Sequence, residues 1–233
     1  MAVLYSQNGT VVYKHNIRYD EPEFNDGFGY SGPVRGNFPQ LPSGYTQVNA
    51  IKLNNLSDRI PLGVIPKSSD SDLYIYIGFN VKSVVTNYSC ILGTTYVDEQ
   101  HSITRIITKF TDTNAFYTNM FTVAGGGSSE FSSSGEPVTH VLMRKDGVNR
   151  FYYNGLNSPA TNYDELLQED PTELKLMMTL NLNVDIYGLF IRQNGVVYHN
   201  WVPCRRNSDN KAGFYNAITG SFITQTGMSV VNS

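Results

Sequence analysis

Ile186-Tyr-Gly-Leu-Phe-Ile-Arg192, Gln193-Asn-Gly195 and Val196-Val-Tyr-His-Asn-Trp-Val202 form the stretch from which the fold is read. Two runs rich in aromatic and β-branched residues flank Asn194-Gly195, a pair that supplies the positive φ angles of a two-residue hairpin turn. An antiparallel strand pair over 185–192 and 196–202 follows.

The same signals recur outward from this hairpin. Asp146-Gly147 and Asn154-Gly155 are turn pairs, and Leu73-Tyr-Ile-Tyr-Ile-Gly-Phe79 and Ile103-Thr-Arg-Ile-Ile-Thr-Lys-Phe110 alternate with the period of a strand. Strands are predicted over 45–53, 73–82, 102–110, 138–144, 149–154, 174–180, 185–192 and 196–202, a number that suits a β-sandwich. Asn162–Gln168, acidic at its start and followed by Pro171, is the one helical candidate, a turn or two long. Gly125–Gly135, built of glycine and serine around Glu130 and Phe131, reads as a mobile surface loop.

Near the N-terminus, Ala2–Ser6 and Thr10–Lys14 flank Asn8-Gly9 and predict another hairpin. From Arg18 to Ser43, glycines at 27, 29, 32 and 36 and prolines at 22, 33, 39 and 42 leave no run able to form a ladder. Tyr19, Phe24, Phe28, Tyr30 and Phe38 are too many aromatics for a solvated linker, so an extended arm lying on a surface is expected. The chain thereby divides into residues 1–43, a hairpin and arm for assembly, and residues 44–233, one sandwich domain.

Composition agrees with an all-β chain. The 233 residues are 40% hydrophobic and 16% charged, with 16 Tyr and 12 Phe, which suits half-buried strands better than charged amphipathic helices. The net charge of −3 argues against nucleic acid, and no apolar run is long enough for a membrane-spanning helix. The start Met-Ala-Val-Leu-Tyr-Ser lacks the basic and apolar segments of a secretion signal, so synthesis and assembly in a cytoplasm are expected. Cys90 and Cys204 are therefore expected to be free, buried thiols.

Three stretches carry a family resemblance. They are Leu41–Ile51 with Arg59–Pro66, His140–Gly155, and the order Ile186–Arg192, Trp201–Asn207, Gly213-Phe-Tyr-Asn-Ala-Ile-Thr-Gly-Ser-Phe222. Together they resemble the concanavalin A-like, laminin-G-type modules of tail and other structural proteins of bacteriophages infecting gut bacteria. The resemblance implies an antiparallel jelly-roll sandwich in a virion structural protein: a fibre, a head decoration or a tail appendage. It implies a homo-oligomer in contact with other virion proteins and lectin-like adhesion to a host-surface glycan, with no enzymatic activity and no cofactor. A purely architectural cement protein is the nearer alternative, and a carbohydrate-active enzyme the more distant one. The family usually has an acid where this chain has Asn216, which puts a charge pairing with a nearby arginine in doubt. Within the motif, Gly213 and Gly220 bracket a tight loop, Phe214 and Phe222 close the sandwich edge, and Arg205 and Arg206 reach turn carbonyls, all structural roles.

Catalytic patterns are weak. A retaining sandwich glycosidase needs two carboxylates about 5 Å apart, and the nearest pairs, Glu21 with Glu23 and Asp70 with Asp72, fall outside the predicted strands. Asp70 and Asp72 are read as a solvated turn before a calcium site. His15, His101, His140 and His199 have no metal-ligand spacing. For a sugar, Trp201, Tyr96, Tyr117 and Tyr163 are the stacking candidates, set against the core role that most of the chain's aromatics must have.

Overall fold

A computed structural model describes residues 39–67, 70, 72–82, 90–94, 172–177, 180 and 182–231 in full, and further segments as strands with their pairings. The first strands are β1 (Ala2–Gln7), β2 (Thr10–His15), β3 (Tyr45–Gln47), β4 (Ile51–Leu53), β5 (Ile60–Pro61), β6 (Asp72–Ser83) and β7 (Ser89–Gly93). The middle of the chain gives β8 (Thr104–Lys109), β9 (Ala115–Met120), β10 (Ser129–Ser132), β11 (Val138–Lys145), β12 (Val148–Tyr153) and β13 (Leu156–Asn157). The last are β14 (Lys175–Leu176), β15 (Asn183–Gln193), β16 (Val196–Arg206), β17 (Ala212–Asn216), β18 (Ser221–Ile223) and β19 (Met228–Val230).

Among the described residues every regular element is a strand and every pairing is antiparallel. The smaller sheet runs β10-β9-β8-β7-β14-β5, and the larger runs β13-β12-β11-β6-β15-β16-β17-β18. Strand β3 adds to β16, β4 to β15 and β19 to β4. The two sheets share one core: Ile60, Ile91, Leu92 and Leu176 of the smaller meet Leu73, Ile75, Ile77, Phe79, Ile186, Leu189, Ile191, Trp201 and Phe214 of the larger. Each such side chain contributes about 1.5–3 kcal/mol on burial. The fold is an antiparallel, concanavalin A-like jelly-roll sandwich.

Two-residue Xaa-Gly turns set the registers. Gln7 pairs Thr10, Lys145 pairs Val148, Tyr153 pairs Leu156 and Gln193 pairs Val196, so the four predicted turn pairs each join two strands. At the last of these, Asn194 and Gly195 have φ of 49° and 77°, the two positive angles a type I′ turn requires.

The strand boundaries differ from expectation where packing decides. The segment 45–53 divides into β3 and β4, which pair with different strands, and 174–180 shrinks to the two residues of β14. The expected loop over 125–135 holds β10, whose Glu130 and Phe131 pair with Tyr117 and Phe116 of β9. An edge strand needs a partner on one side only, so low β-propensity does not prevent pairing. The helical candidate at 162–168 and the arm aromatics Tyr19, Phe24, Phe28, Tyr30 and Phe38 lie outside the described residues.

Alternation gives the large sheet two faces. Leu73, Ile75, Ile77 and Phe79 of β6 enter the core, so Tyr74, Tyr76, Gly78, Asn80 and Lys82 occupy the outer face. Asp185, Phe190 and Arg192 of β15 and Asn200 of β16 join them there, placed by their pairing with Asn80, Tyr76 and Tyr74 and with Phe190.

Candidate functional site

The recognisable C-terminal segment is a strand, turn and strand. Gly213 lies inside β17, where an added Cβ would come 2.2 Å from the Ile223 carbonyl oxygen and 2.9 Å from the Phe222 ring. Only glycine lets β18 approach this closely. Gly220 ends the turn with φ of 71°. Phe214 stacks on Trp201 in the core at 5.2 Å, whereas Phe222 packs on Tyr45 at 5.4 Å and under the Arg206 guanidinium at 4.7 Å. Arg206 forks onto the Asp209 carboxylate, at 3.0 and 2.7 Å, rather than onto turn carbonyls. That pairing pulls the Asp209 carboxyl down to about 2. Arg205 is exposed.

Asn216 is the centre of a neutral network. Its Oδ1 accepts from the backbone N–H groups of Asn200 and Ile218, at 3.2 and 3.1 Å. Its Nδ2 donates to the Tyr198 carbonyl at 3.3 Å and to Nδ1 of His199 at 3.1 Å. That same Nδ1 accepts from Nε1 of Trp201 at 3.0 Å, and Nε2 of His199 meets the Leu62 carbonyl. His199 is thus the neutral Nε2–H tautomer, and burial lowers its pKa below the usual histidine value.

Asp70 and Asp72 are pinning residues. Buried Asp70 accepts from the Lys67 N–H and the Gln193 amide, each at 2.8 Å, and from the Asn194 amide at 3.1 Å. Asp72 binds Nε of Arg192 at 3.0 Å. Their oxygens hold the 65–72 loop to the β15–β16 turn, correcting the reading of a solvated turn: the hairpin brings amide donors to them. Among the described residues no cluster of three metal-ligating side chains occurs.

On the outer side of the large sheet both rings and polar groups are buried: Tyr74 and Tyr76 are 8% and 6% exposed, Asn80 and Asp185 3% and 2%. Tyr74 meets Phe190 edge-on at 5.7 Å, and the Arg192 guanidinium lies 5.8 Å from the Tyr74 ring centre. Tyr76, Phe190 and Asn200 form one cross-strand row, and Asn80, Asp185 and Lys52 another. Gly78 lies between, with Oη of Tyr76 and Cβ of Tyr187 each 3.3 Å from where its Cβ would stand. Lys82 reaches Asp185 at 3.4 Å. The amide oxygens of Asn80 and Asn200 are buried and accept no hydrogen bond from the protein.

This face was not singled out from sequence. Its signal was available in Leu73–Phe79, where the positions alternating with core residues are Tyr74 and Tyr76 rather than charges. Trp201, the first stacking candidate, is fully buried, so its ring faces are core faces. Tyr117 lies on β9, its side chain outside the described residues, as are Tyr96 and Tyr163 entirely. His15 and His140 lie on β2 and β11, and Glu21, Glu23 and His101 fall outside the described residues. Cys90 and Cys204 are free and buried, the latter raised to about 11 by burial.

No protein-family model and no curated protein matches the chain. Solved structures with similar folds include the Pseudomonas aeruginosa alginate lyase PA1167, 8% identical over 69% of this chain and 88% of that one, TM-score 0.42. Domains LG4-5 of the mouse laminin alpha1 chain are 11% identical over 84% of this chain and 49% of that one, TM-score 0.36. Alginate lyase AlgAT5 of polysaccharide lyase family 7 is 12% identical over 52% of this chain, TM-score 0.38, and the chain spans 59% of its length. The likeness is one of fold alone. It does correct one expectation, that the chain has no enzymatic activity: sandwiches of this kind include polysaccharide lyases, so the fold does not make the chain a non-enzyme.

Proposed function

We propose that the chain binds carbohydrate on the outer face of its large sheet and serves as a structural component of a bacteriophage particle. The observation that carries the binding reading is the set of buried amide oxygens left without donors, Asn80 Oδ1, Asn183 Oδ1 and Asn200 Oδ1, with Asn200 in the same cross-strand row as Phe190 and Tyr76. Buried acceptors are ordinarily satisfied, and sugar hydroxyls supply the donors that these lack. A fold shared with laminin G domains and polysaccharide lyases is in keeping with this reading.

The virion reading rests on the resemblance of the 41–66, 140–155 and 186–222 segments to phage modules. In it, residues 1–43 anchor the sandwich to neighbouring virion proteins, and a symmetric oligomer displays many weak sites that act together on a host-surface glycan. A glycan array probed with the oligomer tests binding, and failure of every host-surface glycan to retain it rejects that reading. Deleting residues 1–43 tests anchoring: particles that lack the truncated chain support the arm, and normal incorporation rejects it.

A further inference from the structure

We infer that Asn80, Asp185 and Lys82 form a subsite for an uncharged, hydroxyl-rich sugar and select against uronates, an inference that rests on the glycan-binding reading above. Asn80 and Asp185 are 3% and 2% exposed and lie directly opposite each other on β6 and β15. Lys82, with 43% of its side chain exposed, reaches down to the Asp185 carboxylate at 3.4 Å and is the solvent-facing member of the three.

The donor and acceptor balance selects the ligand. Lys82 neutralises Asp185, and what remains is an excess of acceptors: the second carboxylate oxygen and the unpaired Asn80 Oδ1. Such a pair calls for O–H or N–H donors, which vicinal sugar hydroxyls supply in a fixed geometry. A uronate carboxylate brings acceptors only, so it leaves Asn80 Oδ1 and the second Asp185 oxygen without donors. Gly78, on the same side of the sheet, is covered by Tyr187 Cβ and the Tyr76 hydroxyl, each 3.3 Å from where a Cβ would stand.

Calorimetric titration of the full chain tests this, using neutral oligomers of glucose, galactose and N-acetylglucosamine against oligomers of galacturonate and mannuronate. At least one neutral oligomer is expected to bind, with every uronate at least tenfold weaker, and Asn80→Ala and Asp185→Asn each to weaken the neutral ligand at least tenfold. Uronates binding as tightly as neutral sugars would overturn the subsite and leave the glycan reading standing. So would neutral binding unchanged in both folded variants. Binding of neither class overturns both. If those variants fail to fold, Lys82→Gln at the half-exposed position still decides: it strips Asp185 of its counter-ion within the subsite and is expected to weaken the neutral ligand at least threefold, and an unchanged neutral affinity would sink the assignment.

Discussion

The indole N–H of Trp201 donates to Nδ1 of His199 at 3.0 Å, which places the histidine proton on Nε2, against the Leu62 carbonyl. Leu62 follows β5 in the smaller sheet and His199 belongs to β16 in the larger, so this chain of bonds ties the two layers together. A buried network of this kind is strong only while each member keeps its partner.

Replacing Trp201 by Phe retains most of the stacking on Phe214 and removes the donor. A loss of about 2–3 kcal/mol is expected from the lost bond, the small cavity and the under-satisfied His199 Nδ1. Urea denaturation measures it, and a change under about 0.5 kcal/mol would show the bond to be immaterial.

Acidity should undo the same network. The folded pKa of His199 is lowered, so below the unfolded value of about 6.5 the unfolded chain binds the extra proton first. The contribution is present above that pH and is lost as pH falls through 6.5 toward the folded value. Protonated Nδ1 would also face two donors, from Trp201 and Asn216. In His199→Gln the stability deficit at pH 7 is expected to shrink by pH 5, read from denaturation midpoints at both pH values.

Much of the fold was legible because it rests on local rules. Asn194-Gly195 specifies its hairpin by φ alone, and the alternation of Leu73–Phe79 identifies a central strand. What could not be read depends on partners distant in sequence. The two-residue strands β5 and β14 exist only because they pair with each other and β14 pairs with β7. A shift of one residue decides whether Trp201 or Asn200 faces out, and the sequence around them has aromatic and polar residues on both faces. Asp185 gave no signal as a lone acid, since its meaning comes from Asn80, 105 positions earlier.

Two glycines separate space from backbone angle. Gly213→Ala puts a methyl group 2.2 Å from the Ile223 carbonyl oxygen and is expected to cost 3 kcal/mol or more, about the upper end for an overpacked site. Gly63→Ala has φ of 65° but nothing within 4 Å, so about 1 kcal/mol is expected. Comparable losses in the two variants would contradict the close approach of β17 and β18.

Asn216→Asp restores the acid that the resemblance leads one to expect. A carboxylate there keeps the acceptor role toward Asn200 and Ile218 but turns an oxygen toward the Tyr198 carbonyl and His199 Nδ1. The variant is expected to be destabilised by about 1–3 kcal/mol at pH 8, and the His199 pKa to rise, as a proton titration by NMR would show. An unchanged His199 pKa would count against the assigned contacts.

The most direct test of the account follows backbone amide resonances of the full chain during titration with a glycan retained on the array. The account predicts shifts concentrated in Tyr74–Lys82, Asp185–Arg192 and around Asn200. Shifts confined to the Arg206–Phe222 corner or the 65–72 loop, with the outer face of the large sheet unmoved, would contradict it.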